Sequence, residues 1–123
     1  MSVKAVLDTN ILVDYLRGEE QARRELGCYR LPAVSLITWM EILVGAQDAH
    51  EHLLLRGFLG RFEVLPITQE IAELAVELRR AHRLRLPDAI IWATAQNRDA
   101  LLVTRNTRDF PRDHPGVRVP YVL

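Results

Sequence analysis

The stretch Val3-Lys4-Ala5-Val6-Leu7-Asp8 decides the fold class, because it is a short apolar and β-branched run that ends on a carboxylate. Such a run predicts a strand over residues 3–7 that lies inside a sheet. Comparable runs at 31–35, 62–65, 101–104 and 117–119 predict further strands, and helical patterns separate most of them. This alternation predicts an α/β fold with three layers, in which a central, mostly parallel sheet is flanked by helices.

The helices are predicted from apolar spacing, capping residues and proline. The pattern predicts helices over 11–16, 19–26, 36–46, 52–61, 69–80 and 86–95. Thr68 is a predicted N-cap, and Pro87 suits a first helical turn, where its missing N–H is not needed. The helix over 36–46 is apolar on nearly all sides, so we expect it to be largely buried. Its only charged residue is Glu41.

Length and composition set the broad class. A chain of 123 residues is the usual size of one domain, so we expect a single domain over 1–123. No run approaches the roughly 20 apolar residues that span a bilayer, so we expect no membrane partner. The N-terminus shows no pattern of a secretory signal, which favours a cytoplasmic protein. The single cysteine, Cys28, excludes an internal disulfide and a zinc site built on cysteines.

The balance of charge is neutral, with sixteen basic and sixteen acidic residues. Net neutrality argues against a nucleic-acid partner, because phosphate contacts normally require a basic excess. However, Lys4 is the only lysine and all the other basic residues are arginines. Arginine suits bidentate phosphate contacts and stacking on unpaired bases, although base composition of the genome explains the same bias. Arginine content therefore leaves both interpretations open.

Four polar residues are predicted to meet at one edge of the sheet. Asp8 ends the first strand, Asp88 opens a helix, and Asn106 and Asp109 follow the strand at 101–104. In open α/β sheets the functional crevice lies outside the carboxyl ends of the strands. Each residue also has a structural interpretation, as a helix cap or a solvated loop residue. Their joint placement favours a site.

Glu41 is a different case, because a lone carboxylate in an apolar helix costs several kcal/mol unless its charge is compensated. Several carboxylates brought together repel one another, and either protonation or a bound hard cation relieves the repulsion. All the candidate ligands are oxygen donors, which favours Mg²⁺, with Mn²⁺ as the other possibility. Such an ion can polarise a phosphodiester and lower the pKa of a bound water. The pattern therefore predicts phosphodiester hydrolysis.

Four motifs resemble those of the PIN-domain family, and most closely the VapC-type toxins of toxin–antitoxin pairs. The motifs run over the whole chain in the order Leu7-Asp8-Thr9-Asn10, Met40-Glu41, Leu86-Pro87-Asp88-Ala89-Ile90-Ile91-Trp92-Ala93-Thr94-Ala95 and Leu102-Val103-Thr104-Arg105-Asn106-Thr107-Arg108-Asp109-Phe110. The resemblance implies a PIN fold, a ribonuclease that uses Mg²⁺ or Mn²⁺ to cut cellular RNA, and inhibition by a cognate antitoxin. It also implies pairing as a homodimer.

The resemblance further implies roles for individual residues. Asp8 and Asp88 are the implied metal ligands, and Glu41 holds metal or orients water. Asn10 and Thr104 are the implied supporting residues. Either Asn106 or Asp109 completes the site; an amide at position 106 contributes no charge, so one or two metal ions remain possible.

Three arginines near the expected mouth are candidates for contacting RNA: Arg85, Arg105 and Arg108. Their other interpretation is solvated surface.

Two other classes of protein share some of these features. A phosphorelay receiver domain has a similar length and an acidic Mg²⁺ pocket, but it needs an acidic pair after the first strand and a late lysine. Here Thr9 and Asn10 follow Asp8, and Lys4 is the only lysine. A catalytically inactive PIN-like module that binds RNA or protein is the second alternative. The presence of Asp8, Glu41 and Asp88 together favours the enzyme.

Overall fold

The computed structural model describes residues 4–123. Val3, the first residue of the first predicted strand, lies outside the described residues. The elements are, in chain order, β1 (Ala5–Leu7), α1 (Thr9–Leu16), α2 (Glu20–Gly27), β2 (Ala33–Ser35), α3 (Leu36–Val44), α4 (Ala49–Leu59), β3 (Glu63–Leu65), α5 (Gln69–His82), α6 (Leu86–Asn97), β4 (Leu101–Val103) and β5 (Val117–Arg118). No helix within residues 4–123 is long and apolar enough to cross a membrane.

The five strands form one parallel sheet with the order β3-β2-β1-β4-β5. In the register of the sheet, Val6 of β1 lies between Ala33 of β2 and Leu102 of β4. The predicted parallel α/β fold is therefore confirmed. Because β1 and β4 are neighbours, the residues that follow them meet at the same carboxyl edge.

Helices cover both faces of the sheet, as the alternation of strand side chains requires. Val6 and Leu102 point into a core formed with α5 and α6, in which Trp92 is fully buried. Leu7 and Val103 point to the opposite side, into a core formed mainly with α1 to α4. Strands β1 to β4 thus contribute side chains to both hydrophobic layers, and the predicted three-layer architecture is confirmed.

Side-chain caps fix where several helices begin. Asp8 accepts a hydrogen bond from the Thr9 N–H at 2.7 Å, so α1 begins at Thr9 rather than at residue 11. Asp48 accepts from the Glu51 N–H at 2.8 Å, so α4 begins at Ala49 and not at residue 52 as predicted. The predicted N-cap of α5 is confirmed, because the Thr68 hydroxyl accepts from the backbone N–H of Ile71.

The prediction that α3 is largely buried was wrong. Thr38, Ile42 and Leu43 are buried, but Glu41 is exposed and the side chain of Val44 is 85% exposed. The short helix packs one side against the sheet and leaves the other open to solvent. The large desolvation cost expected for Glu41 therefore does not arise.

Candidate active site

The carboxyl edge of β1 and β4 opens into a pocket of about 250 Å³. We call it the acidic pocket. Its lining contains three of the four acidic residues that the motifs identified, together with Asn10, Asn106 and two of the candidate arginines. The lining residues are Asp8, Thr9, Asn10, Val13, Glu41, Arg85, Asp88, Arg105 and Asn106.

Asp8 lies at the floor of the acidic pocket and is only 4% exposed. Its Oδ2 accepts hydrogen bonds from the Thr104 hydroxyl at 2.7 Å and from the Asn10 side-chain amide at 3.2 Å. Its Oδ1 accepts from the Thr9 backbone N–H at 2.7 Å. Asn10 and Thr104, the implied supporting residues, thus both contact the Asp8 carboxylate. They fix the carboxylate in one orientation.

The protonation of Asp8 is strongly influenced by its surroundings. Burial, together with the negative charges of Asp88 and Glu41, raises the pKa of the Asp8 carboxyl from 3.8 to about 6. Hydrogen bonds from Thr104 and Thr9 oppose the rise. The charged form of Asp8 is therefore poorly stabilised by the protein alone, and a positive charge placed beside it would be favoured.

Glu41 reaches the acidic pocket from α3 and lines it together with Asp88. The Thr9 hydroxyl donates to Glu41 Oε1 at 2.7 Å and lies 2.9 Å from the Thr38 hydroxyl. This contact ties the exposed Glu41 carboxylate to the start of α1, beside the acidic pocket. Glu41 is thus held by one neutral donor, and within residues 4–123 it forms no ion pair with an arginine.

Asp88 lies in the first turn of α6 and is 5% exposed. The Arg85 Nε lies 3.1 Å from Asp88 Oδ2, and this contact raises the pKa of the Arg85 guanidinium. The arginine side chain itself is 77% exposed, so solvent screens the ion pair strongly. Arg85 therefore lies at the mouth of the acidic pocket and remains accessible to a ligand.

Asn106 and Asp109 have different positions in the loop after β4. Asn106 lines the acidic pocket, whereas Asp109 does not. The Asn106 side-chain amide donates to Asp109 Oδ2 at 3.0 Å, and the Asp109 backbone N–H donates to Asn106 Oδ1 at 3.2 Å. Asp109 thus fixes the side chain of Asn106 through hydrogen bonds without lining the pocket itself.

The candidate arginines also differ from one another. Arg105 lines the acidic pocket, but its guanidinium donates to both oxygens of the buried Asp14. The Tyr121 hydroxyl donates to the same carboxylate at 2.8 Å. Arg105 is consequently anchored within the protein. Arg108 is exposed and does not line the pocket.

The donor set of the acidic pocket consists of oxygen and amide groups, and no histidine or cysteine lines it. Within residues 4–123, no three carboxylate, histidine or cysteine side chains are close enough to share one ion. Magnesium usually binds through one or two carboxylates and completes its shell with water and substrate phosphate. The chemistry of the pocket, with a desolvated carboxylate beside a second one, fits such an ion.

Two residues of this region escaped the analysis of the sequence. Thr9, whose hydroxyl donates to Glu41, lies inside the first motif, but the sequence assigned it no role. Asp14 is a lone carboxylate among Ile11, Leu12 and Tyr15 in α1, and the argument that was applied to Glu41 fits it instead. A carboxylate in an apolar helix does require a partner, and here Arg105 and Tyr121 supply it.

Comparison with known families identifies the fold family directly. The model of the PIN domain matches residues 5–113. Ribonuclease VapC10 of Mycobacterium tuberculosis is 34% identical over 114 residues, which cover 86% of this chain and 85% of that protein. The tRNA(fMet)-specific endonuclease VapC of Shigella flexneri is 30% identical over 122 residues, covering 89% and 92% of the two chains.

Solved structures agree with this family. A chain of a toxin–antitoxin complex from Klebsiella pneumoniae has a TM-score of 0.91 and 46% identity, covering 98% of this chain and 100% of that one. A chain of the DNA-bound VapBC from Salmonella typhimurium has a TM-score of 0.79 and 28% identity, with 94% and 96% covered.

These matches exclude the receiver domain and confirm the resemblance drawn from the four motifs. The family model, the two relatives and the two structures all agree on the same assignment. The chain belongs to the PIN-domain family, as one of its VapC-type ribonuclease toxins.

Proposed function

We propose that this chain is a metal-dependent endoribonuclease that cuts cellular RNA as the toxin of a toxin–antitoxin pair. The observation that carries the proposal is the convergence of Asp8, Glu41 and Asp88 on one pocket, with Asp8 buried and its pKa raised to about 6. A carboxylate whose charge the protein leaves unneutralised can bind a cation at the carboxyl edge of the parallel sheet. A cation in that position suits phosphodiester hydrolysis. The VapC relatives, which are named ribonucleases, support the same chemistry.

In this proposal Asp8 and Asp88 hold one Mg²⁺ or Mn²⁺, and Glu41 orients the attacking water. When bound, the ion would act as a Lewis acid that polarises the phosphodiester and lowers the pKa of a bound water. Thr104 and Asn10 keep the Asp8 carboxylate oriented, and Thr9 does the same for Glu41. Arg85, which is exposed at the mouth, contacts a phosphate of the RNA strand.

Asn106 is proposed as the fourth pocket residue, because it lines the acidic pocket and Asp109 does not. It offers an amide oxygen that adds no negative charge, so the pocket favours one resident ion over two. A second ion would need phosphate oxygens from the substrate.

The first prediction tests catalysis itself. The purified, partner-free protein is expected to cut members of a panel of tRNA, rRNA and mRNA in the presence of Mg²⁺ or Mn²⁺. Cleavage should stop with EDTA and return when the metal is added in excess, because the carboxylates alone provide no Lewis acid. Gel analysis of end-labelled RNA gives the measurement. An intact panel under all these conditions would favour the inactive, RNA-binding or protein-binding module.

A second prediction separates Asn106 from Asp109. Asp109→Ala is expected to lower the cleavage rate roughly tenfold, because it removes only the partner that holds Asn106. Asn106→Ala should lower the cleavage rate more than Asp109→Ala does, since it removes the side chain that lines the pocket. Single-turnover rates at saturating Mg²⁺ provide the comparison. A wild-type rate for Asp109→Ala would remove Asp109 from the site, and equal losses would show that the two residues act as one unit.

The proposed antitoxin has a suitable place beside the acidic pocket. An open groove of about 690 Å³ between α1, α3 and α4 is lined by Leu54, Leu55 and Phe58, and Leu54 is 61% exposed. Val13 and Glu41 line both the groove and the acidic pocket. We infer that an apolar helix of the antitoxin occupies this groove, so that its end covers the catalytic carboxylates. The 46% identical chain in a toxin–antitoxin complex supports such a partner.

A further inference from the structure

A second polar pocket, of about 380 Å³, lies away from the carboxylates. We call it the arginine pocket. Arg23, Arg30 and Arg61 contribute to its lining together with Tyr15 and Tyr29, and no acidic residue does. In a chain with zero formal net charge, this is a local concentration of positive charge in a concave surface.

The arginine pocket is separate from the acidic pocket. Pro32, which precedes β2, and Phe62, which precedes β3, line it, so it lies at the amino edge of the sheet. Asp8 follows β1 at the opposite edge. The two pockets share no lining residue, and the strands between them are about 10 Å long. The arginine pocket is therefore not a simple extension of the proposed catalytic site.

Two of the three guanidinium groups have no internal counterion. Arg23 lies 3.3 Å from Glu20, and both side chains of that pair are more than half exposed. Among the residues that the structure describes, neither Arg30 nor Arg61 forms an ion pair. The pocket thus retains positive charge that an anion can neutralise.

Arg61 is also held in place before any ligand binds. Its guanidinium lies 5.6 Å from the ring centre of Tyr15 and 5.9 Å from that of Phe58. Its Nη1 donates to the Tyr15 hydroxyl at 3.1 Å. That hydroxyl has no hydrogen-bond acceptor within residues 4–123, so its own proton is available to a ligand. The pocket therefore presents an oriented guanidinium and an O–H donor.

We propose that the arginine pocket binds a phosphate group. A phosphomonoester offers three terminal acceptor oxygens and a phosphodiester offers two, so either can engage more than one guanidinium, whereas a single carboxylate is satisfied by one arginine fork. The group belongs either to a free phosphate or mononucleotide, or to a phosphate of an RNA strand whose scissile bond lies elsewhere. Binding at this site does not depend on metal or on catalysis, so it stands apart from the proposed nuclease activity.

The test uses the full chain in EDTA, so that RNA stays intact. Sodium phosphate is titrated into ¹⁵N-labelled protein at constant ionic strength, with sodium chloride as the reference. The amide resonances of Gly27, Arg30 and Arg61 are expected to shift in a saturable way, and that of Asn10 in the acidic pocket should move less. Equal shifts with chloride, or no saturable shift at these amides, would overturn the proposal.

A matched pair of variants makes the test specific. Arg30→Gln removes an exposed guanidinium that has no ion pair in the described chain, and it is expected to weaken phosphate binding about three- to tenfold. Arg80→Gln removes an exposed arginine of α5 that does not line the pocket, and its affinity should equal that of the wild type. Equal affinities of both variants would contradict the proposal.

Further titrations identify the source of the phosphate. If adenosine 5′-monophosphate and inorganic phosphate bind as tightly as a single-stranded RNA oligonucleotide, the site takes a free ligand. If RNA binds at least about tenfold more tightly and Arg30→Gln reduces the difference, the site holds a strand phosphate. A glutamate heptapeptide that shifts the same amides where phosphate and RNA do not would overturn the proposal in favour of a protein contact.

Discussion

Asp8→Asn is expected to lower the rate of RNA cleavage at least about a hundredfold while the protein stays folded. The amide removes the negative charge that holds the proposed ion, and with it the electrostatic stabilisation of the reacting phosphate. The Thr9 contact can survive, because an amide oxygen still accepts from the Thr9 N–H, whereas the amide NH2 replaces the oxygen that accepts from Thr104 and Asn10. Cleavage rates in excess Mg²⁺ and urea unfolding in EDTA measure the two effects separately.

The same substitution is expected to leave stability equal or to raise it. In the metal-free protein the folded pKa of Asp8, about 6, lies above the ordinary 3.8, so the folded state binds this proton more tightly than the unfolded state does. Stability therefore decreases as the pH rises from about 3.8 to about 6, and the full cost is present at pH 7.5. This pKa difference corresponds to a destabilisation of the charged wild type by up to about 3 kcal/mol, which Asp8→Asn removes. Weakened hydrogen bonds in the variant offset part of this gain.

The stability difference between Asp8→Asn and the wild type should accordingly shrink below pH 4, where both side chains are neutral. Asp113→Asn is a matched control, because Asp113 is an exposed carboxylate that does not line the acidic pocket. It should change neither the cleavage rate nor the pH profile. Unfolding of Asp8→Asn at pH 7.5 would instead assign a structural role to Asp8 and remove the main support for the metal site.

Asp14→Ala is expected to destabilise the protein by about 3 kcal/mol, because it breaks a buried ion pair. Burial disfavours the charged form of Asp14, but hydrogen bonds from Arg105 and Tyr121 hold the pKa of this carboxyl below its ordinary value. Removing it leaves the Arg105 guanidinium and the Tyr121 hydroxyl without their acceptor. Urea unfolding at pH 7.5 measures the loss, which is a large share of a typical total stability of 5–15 kcal/mol.

Two comparison variants and the pH dependence of stability test this prediction further. Glu20→Ala breaks an exposed ion pair and should cost under about 1 kcal/mol. Tyr121→Phe removes one hydrogen bond and should cost about 1 kcal/mol. Because the folded pKa of Asp14 is lowered, its contribution is full above the ordinary pKa of 3.8 and is lost as the pH falls further. A loss for Asp14→Ala no larger than that for Glu20→Ala would show that the buried pair contributes little.

Asp14 lies in α1 and Asp8 is the N-cap of the same helix, and both are buried. Their surroundings nevertheless shift the pKa values of the two carboxyls in opposite directions. Asp14 meets an arginine, so its negative charge is stabilised within the protein. Asp8 meets hydroxyl and amide donors and two other carboxylates, so its charge is not. The unneutralised carboxylate is the one at the proposed catalytic position, as expected when a cation is to bind there.

Most of the fold followed from local patterns. The strands and helices were predicted because apolar spacing records which faces are buried, and the positions of Asp8 and Asp88 relative to their elements were predicted by the same means. The starts of α1 and α4 were placed too late, because the hydrogen bonds of Asp8 and Asp48 to backbone N–H groups leave no trace in apolar spacing.

The sequence by itself determined the alternation of elements, the four motifs and hence the carboxylates that share one edge of the sheet. Tertiary structure alone decided which of the lone carboxylates in apolar helices is buried: Asp14 is, and Glu41 is not. The physical reason is that exposure and ion pairing depend on what packs against a helix. Arg105, Tyr121 and Thr9 reach their partners only through the fold, at separations along the chain that no local pattern records.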